Sequence, residues 1–172
     1  LKITDRKKEI FKLSGGKYIA PQMIENRLKE SMFIENAMVI GENEKFASAL
    51  IVPSFSHIDK WAAGKGLAFS SHEEMINHPE ILSTLQREVS EINKTLGQVE
   101  EIKRFRLVPD SWSPESGEMS PTLKLKRNYI AKKYAYIIED IFATSRDEEP
   151  NGLKKLKIPK INLSLSELIN KL

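Results

Sequence analysis

Apolar residues along the chain switch between a spacing of two and a spacing of three to four, and the switches outline a mixed architecture. Ile10-Phe11-Lys12-Leu13 is strand-like, Ser14-Gly15-Gly16 interrupts it, and Tyr18-Ile19-Ala20 resumes it, which predicts a short hairpin or glycine loop. Pro21 suits the first turn of a helix running to about Ser31, with Ile24 and Leu28 on one face. Ala37 to Ile40 and Ala47 to Val52 read as an antiparallel strand pair joined across Gly41-Glu42-Asn43-Glu44. A helix around Ile58 to Ala63 ends at Gly64. The clearest helical stripe, Ile81, Leu82, Leu85, Val89, Ile92 and Leu96, runs from Pro79 to Gly97 and is expected to be core. Glu101 to Val108 follows as a strand and Pro109 to Pro121 as a loop. Asn128 to Phe142 reads as one helix, buried through Ile130, Tyr134, Ile137, Ile138, Ile141 and Phe142. The expected class is α+β, a small antiparallel or mixed sheet packed with helices.

Composition narrows the chemistry. With 172 residues, 40% of them hydrophobic and 30% charged, the chain can bury roughly 70% of its unfolded surface in one modest core. The absence of cysteine excludes disulfide scaffolds, thiolate metal sites and a cysteine nucleophile. His57, His72 and His78 lack metal-ligand spacing and read as surface or capping residues, so no metal site is expected. Trp61 and Trp112 read as packing residues. The glycines, at 15, 16, 41, 64, 66, 97, 117 and 152, form no phosphate-cradling loop. No apolar run approaches the roughly 18 residues of a membrane span, and the first residues do not resemble a signal peptide. A soluble, intracellular chain is therefore expected. It begins without methionine inside a strand-like pattern, which reads as a piece of something longer. Beyond Arg146 the character changes: 147–152 reads as a linker and 161–172 as a short amphipathic helix, dividing the chain into a domain at 1–145 and a tail at 146–172.

The net charge of +3 names no partner by itself, but the charges cluster. Lys2, Arg6, Lys7, Lys8, Lys12 and Lys17 face only Asp5 and Glu9 near the start, and Lys124, Lys126, Arg127, Lys132 and Lys133 lie in a run without acids. One reading is a non-catalytic basic module that binds RNA or an anionic membrane near Phe11, Tyr18, Tyr129 and Tyr134. Against it, Tyr134 falls on a buried stripe and no RNA-binding motif accompanies the charge.

Two segments carry a sharper signal: DRKKEIFKLSGGKYIAPQMIE, from Asp5 to Glu25, and MSPTLKLKR, from Met119 to Arg127. Together they resemble the C-terminal domain of the adenylate-forming superfamily, most closely the AMP-forming long-chain fatty acyl-CoA synthetases. In the first segment Arg6 stands at the motif's nucleotide-side arginine, Lys8 at its hinge, and Pro21, Ile24 and Glu25 at its close; either Gly15 or Gly16 matches the loop glycine. Asp5 stands where the family usually has glycine. In the second, Thr122, Lys124 and Arg127 match the terminal lysine motif, with Leu123 in place of its usual glycine.

The resemblance implies that residues 1–145 are a mobile lid that supplies an adenylation lysine, Lys124, and a coenzyme A-side loop. That loop would comprise Gly15 and Gly16 with Lys12, which corresponds to a lysine used in the second half-reaction of some relatives. The implied partner is a large N-terminal adenylation domain, and the implied substrates are a fatty acid, ATP with Mg2+, and coenzyme A. None is expected to bind this chain tightly, and the chain alone is expected to be inactive. A cytoplasmic location is expected, with peripheral membrane contact of the parent enzyme left open. Chemistry agrees with the lysine: a carboxylate attacking the α-phosphate brings two anions together, and a fixed ammonium stabilises that arrangement. Without the motif, Lys124 and Lys8 would read as ordinary solvated lysines. Glu25 would read as an acid that fixes the helix start or hinge, or as a solvated one.

Overall fold

The computed structural model describes residues 9–146. Two short strands, β1 (Phe11–Lys12) and β2 (Tyr18–Ile19), pair antiparallel with Phe11 opposite Ile19. Helix α1 (Pro21–Leu28) follows directly, with proline in its first turn and Ile24 and Leu28 buried. A second sheet has the order β3-β4-β5, made of Ile34–Ile40, Ala47–Pro53 and Ile102–Leu107. Strands β3 and β4 are antiparallel, with Ala37 opposite Ile51, while β4 and β5 are parallel, with Ile51 opposite Leu107. A parallel pair needs a long crossover, supplied here by α2 (Phe55–Ala63), α3 (His72–Asn77) and α4 (Pro79–Asn93). Two further helices, α5 (Arg127–Lys133) and α6 (Ala135–Arg146), complete the described fold. Every residue of the central strand β4 is buried, as its almost continuous apolar run requires. The expected class of a small mixed sheet packed with helices holds.

Three expectations need correction. Helix α4 stops at Asn93 rather than Gly97. The Asn93 side chain bonds both to the Ile102 carbonyl and from the Ile102 N–H, each at 2.9 Å, so the end of α4 is tied to the start of β5. Its stripe is core at Ile81, Leu85 and Val89, but Leu82 is exposed. The predicted helix Asn128 to Phe142 is two helices, because Tyr134 leaves helical geometry at φ −108° and ψ 23°. Its hydroxyl donates to Asp110 at 2.8 Å and accepts from the Trp112 indole at 3.1 Å. Helix α3 was not anticipated, although its start has a capping pattern: Ser71 accepts from the Glu74 N–H, and Glu74 reaches back to the Ser70 N–H.

The histidines behave as surface and capping groups. His78 Nδ1 accepts from the Glu80 N–H at the start of α4, while exposed His72 stacks on Phe55 with ring centres 3.7 Å apart. Trp112 is buried, and Trp61 packs edge-on against Phe33. Among the described residues no helix is long and apolar enough to cross a membrane. The tail from 147 onward lies outside the described residues, so the linker and amphipathic helix expected there lie outside them too.

Candidate functional site

The second motif folds into a tight turn. Its arms are bridged between Met119 and Leu125, the Leu123 N–H donates to the Ser120 carbonyl, and the Ser120 N–H donates to the Lys124 carbonyl, both at 2.8 Å. Ser120 also accepts from the Lys124 N–H through its hydroxyl at 3.1 Å, and that hydroxyl lies 3.0 Å from Thr122 Oγ1. Leu123 lies in the left-handed region at φ 63°, a conformation that glycine adopts at less cost than leucine. Lys124 is exposed at the tip. Its backbone N–H and carbonyl are both held by Ser120, while its long stem is left to the solvent.

Arg127 anchors the outgoing arm. Its guanidinium donates through Nη1 to Glu25 Oε2 at 2.7 Å and through Nη2 to Glu25 Oε1 at 2.6 Å, a two-pronged ion pair. Glu25 is 3% exposed and also accepts from the Val39 N–H at 2.8 Å, which ties α1 to β3. Glu9 Oε2 stands 3.4 Å from the same Nη2. The residue after Lys8, the closing glutamate of the first motif and the closing arginine of the second therefore converge on one guanidinium. Burial pushes the Glu25 carboxyl above its ordinary range, opposed by the Arg127 hydrogen bonds and charge and by the Val39 N–H. Glu25 is thus a buried strut; the solvated alternative does not hold.

A second ion pair supports the incoming arm. Glu118 has no exposed surface and accepts from Lys133 Nζ at 2.6 Å, while Ser116 donates to its other oxygen. Burial alone would raise the Glu118 carboxyl, but the Lys133 and Ser116 hydrogen bonds outweigh it and hold the carboxyl below its ordinary value. The Glu118 hydrogen bond in turn raises Lys133. Burial and the Asp110 carboxylate push the Tyr134 hydroxyl up to about 12. Glu118, Lys133 and Glu9 escaped sequence reasoning. The available signal was Glu118 itself, the last acid before the acid-free basic run.

The glycine loop of the first motif is a separate feature. The Leu13 N–H donates to the Lys17 carbonyl and the Gly16 N–H to the Leu13 carbonyl, closing a compact turn. The Ser14 N–H donates to the Glu44 carbonyl and the Asn43 N–H to the Lys12 carbonyl, docking the hairpin on the β3–β4 turn. Of the two glycines only Gly16, at φ +91°, needs the left-handed region. Lys12 is exposed, its ammonium 5.9 Å from the Tyr18 ring centre. Arg6 and Lys8 lie outside the described residues. The aromatic surface that an RNA-binding reading would use is divided, because Tyr134 is buried while Tyr18 and Tyr129 are exposed. Among the described residues no group of three or more His, Asp or Glu could hold a metal ion.

Residues 8–146 match the family described as the AMP-binding enzyme C-terminal domain. Among curated proteins, the chain is 33% identical over 143 residues to the long-chain-fatty-acid–CoA ligase FadD15 of Mycobacterium tuberculosis, covering 83% of this chain and 24% of that protein. It is 33% identical over 147 residues to the human long-chain-fatty-acid–CoA ligase 1, covering 84% of this chain and 21% of that one. The chain thus spans about a quarter or less of these relatives. Among solved structures, the adenylation domain of a Mycobacterium chelonae carboxylate reductase superimposes with a TM-score of 0.65 at 20% identity, over 80% of this chain and 20% of that one. The equivalent domain from Segniliparus rugosus, solved with AMP and a co-purified carboxylic acid, gives 0.65 at 22% identity, over 81% and 20%. These two matches carry the fold.

Proposed function

Since this chain belongs to the AMP-binding enzyme C-terminal domain family, we propose that it serves as the mobile C-terminal domain of an AMP-forming long-chain-fatty-acid–CoA ligase. Its role is to bring Lys124 to an active site formed with a larger N-terminal domain, and then to present the Gly16 loop for the second step. The observation that carries this reading is the placement of Lys124. It stands exposed on a turn whose outgoing arm is fixed by the Arg127–Glu25 pair.

In the first half-reaction a fatty-acid carboxylate oxygen attacks the α-phosphorus of ATP, and pyrophosphate leaves. Negative charge develops on oxygens between the two anions, where the Lys124 ammonium stabilises it more than it stabilises the separated reactants. In the second, the thiol of coenzyme A attacks the acyl carbon and AMP leaves. The Gly16 turn offers the pantetheine arm a backbone without a side chain, with Lys12 beside it. Lys8 is assigned to the hinge that rotates the domain between the two steps, and Arg6 to the nucleotide side. Glu25, Thr122 and Arg127 hold the two motifs in shape. ATP, coenzyme A and Mg2+ bind mainly to the larger domain in this reading. The chain alone is then inactive, and the parent enzyme works in the cytoplasm.

The test is Lys124→Ala in the full-length enzyme. Acyl-adenylate formation is expected to fall by at least roughly 10²-fold, the scale for losing one preorganised charge stabiliser. Thioester formation from supplied acyl-adenylate is expected to change far less. Equal loss in both half-reactions would contradict the assignment.

A further inference from the structure

The turn that carries Lys124 is held at both ends, and only one end belongs to the motifs. On the outgoing side Arg127, three residues after Lys124, is held by Glu25. On the incoming side the last residue before the bridged arms is Glu118. Its backbone carbonyl accepts the Lys126 N–H at 2.8 Å, which closes the base of the turn, and its fully buried carboxylate is bound by Lys133 Nζ and by Ser116. Lys133 is the last residue of α5, so the pair fastens the base of the turn to the far end of the helix that begins at Arg127. Lys133 Nζ also lies 3.7 Å from Asp110, which receives the Tyr134 hydroxyl. The helix break at Tyr134 and the base of the turn thus share one polar network.

Resting on the reading of Lys124 given above, we propose that Glu118 and Lys133 are positioning residues, whose ion pair sets the place and direction of the Lys124 ammonium without touching substrate. A carboxylate with no exposed surface and no countercharge is strongly unfavourable, so the turn cannot shift away from α5 while the pair stays charged. Lys124 has a flexible four-carbon stem, so the precision of its charge depends on its backbone. A displacement of about 1 Å at a reacting centre can cost on the order of 10²-fold in rate. A clamp at the base of the turn therefore belongs to the rate of adenylation, although its atoms are buried away from the reaction.

The experiment uses the full-length enzyme with Glu118→Gln and Lys133→Met, each made alone and together with Lys124→Ala. Each single variant is expected to lower the maximal rate of acyl-adenylate formation by roughly 10- to 100-fold, with the KM for ATP little changed. Thioester formation from supplied acyl-adenylate should stay near wild type, which also reports that the domain is folded. Lys133→Arg, which keeps the charge, should recover part of the lost rate. In the Lys124→Ala background neither variant should add a further loss, because a group that acts through Lys124 has nothing left to position. Wild-type adenylation by both single variants, or losses that multiply with that of Lys124→Ala, would overturn the proposal. A Lys124→Ala enzyme with normal adenylation would instead overturn the functional reading beneath it. Should neither variant fold, hydrogen exchange on the unmutated chain decides: the Lys126 amide should exchange as slowly as the amides of α5, and rapid exchange would mean that no clamp exists.

Discussion

Leucine at φ 63° carries a backbone cost that its 63% exposed side chain cannot recover through packing. Position 123 is therefore a place where glycine should be tolerated and a β-branched residue should not. Leu123→Gly is expected to be at least as stable as the parent sequence in urea denaturation, whereas Leu123→Val should lose about 1 kcal/mol. Glu118 and Lys133 also give stability a pH dependence. The folded carboxyl lies below the ordinary 4.5, so its stabilising effect is complete above that pH and is lost as pH falls through the folded value. The folded ammonium lies above the ordinary 10.5, so its contribution is complete below that pH and is lost as pH rises through the folded value. The pair should leave stability flat between these limits. Glu118→Gln should flatten the acid limb of a stability-against-pH curve measured by chemical denaturation, and an unchanged acid limb would place the acid sensitivity elsewhere.

Elements form where local pattern and tertiary contacts agree, and they end where a long-range partner intervenes. The Tyr134 break shows this: apolar periodicity continues through it, but the hydroxyl is held by Asp110 and Trp112, residues 24 and 22 positions away in the chain. Tyr134→Phe leaves the buried Trp112 indole N–H without that acceptor. It should cost about 1–3 kcal/mol and change the near-ultraviolet circular dichroism of Trp112. The periodic elements were legible for the same reason that these breaks were not. Pro21, the Gly64 stop and the β3–β4 turn announce themselves in neighbouring residues. The end of α4 depends on Asn93 reaching Ile102, and the parallel pairing of β4 with β5 depends on strands separated by the whole crossover. Helix α3 is the exception, since Ser71 and Glu74 carry a capping pattern that the sequence displays.

Across the molecule, the two motifs meet at Glu25 and Arg127, which are 102 positions apart in the chain. Motif residues could be named from the sequence because their types and order are specific. Their meeting could not, since it depends on α1 and α5 packing around a common core. The Lys124 turn and the Gly16 turn are distinct features on the described surface, and the proposed alternation assigns one half-reaction to each. The decisive measurement compares Lys124→Ala with Gly16→Ala in the full-length enzyme, following each half-reaction separately on the same preparations. Alanine at Gly16 meets a strained φ of +91° and places a methyl on the turn. Lys124→Ala should abolish most acyl-adenylate formation and spare thioester formation from supplied adenylate, while Gly16→Ala should do the reverse. Two variants that damage both half-reactions in the same proportion would contradict the account.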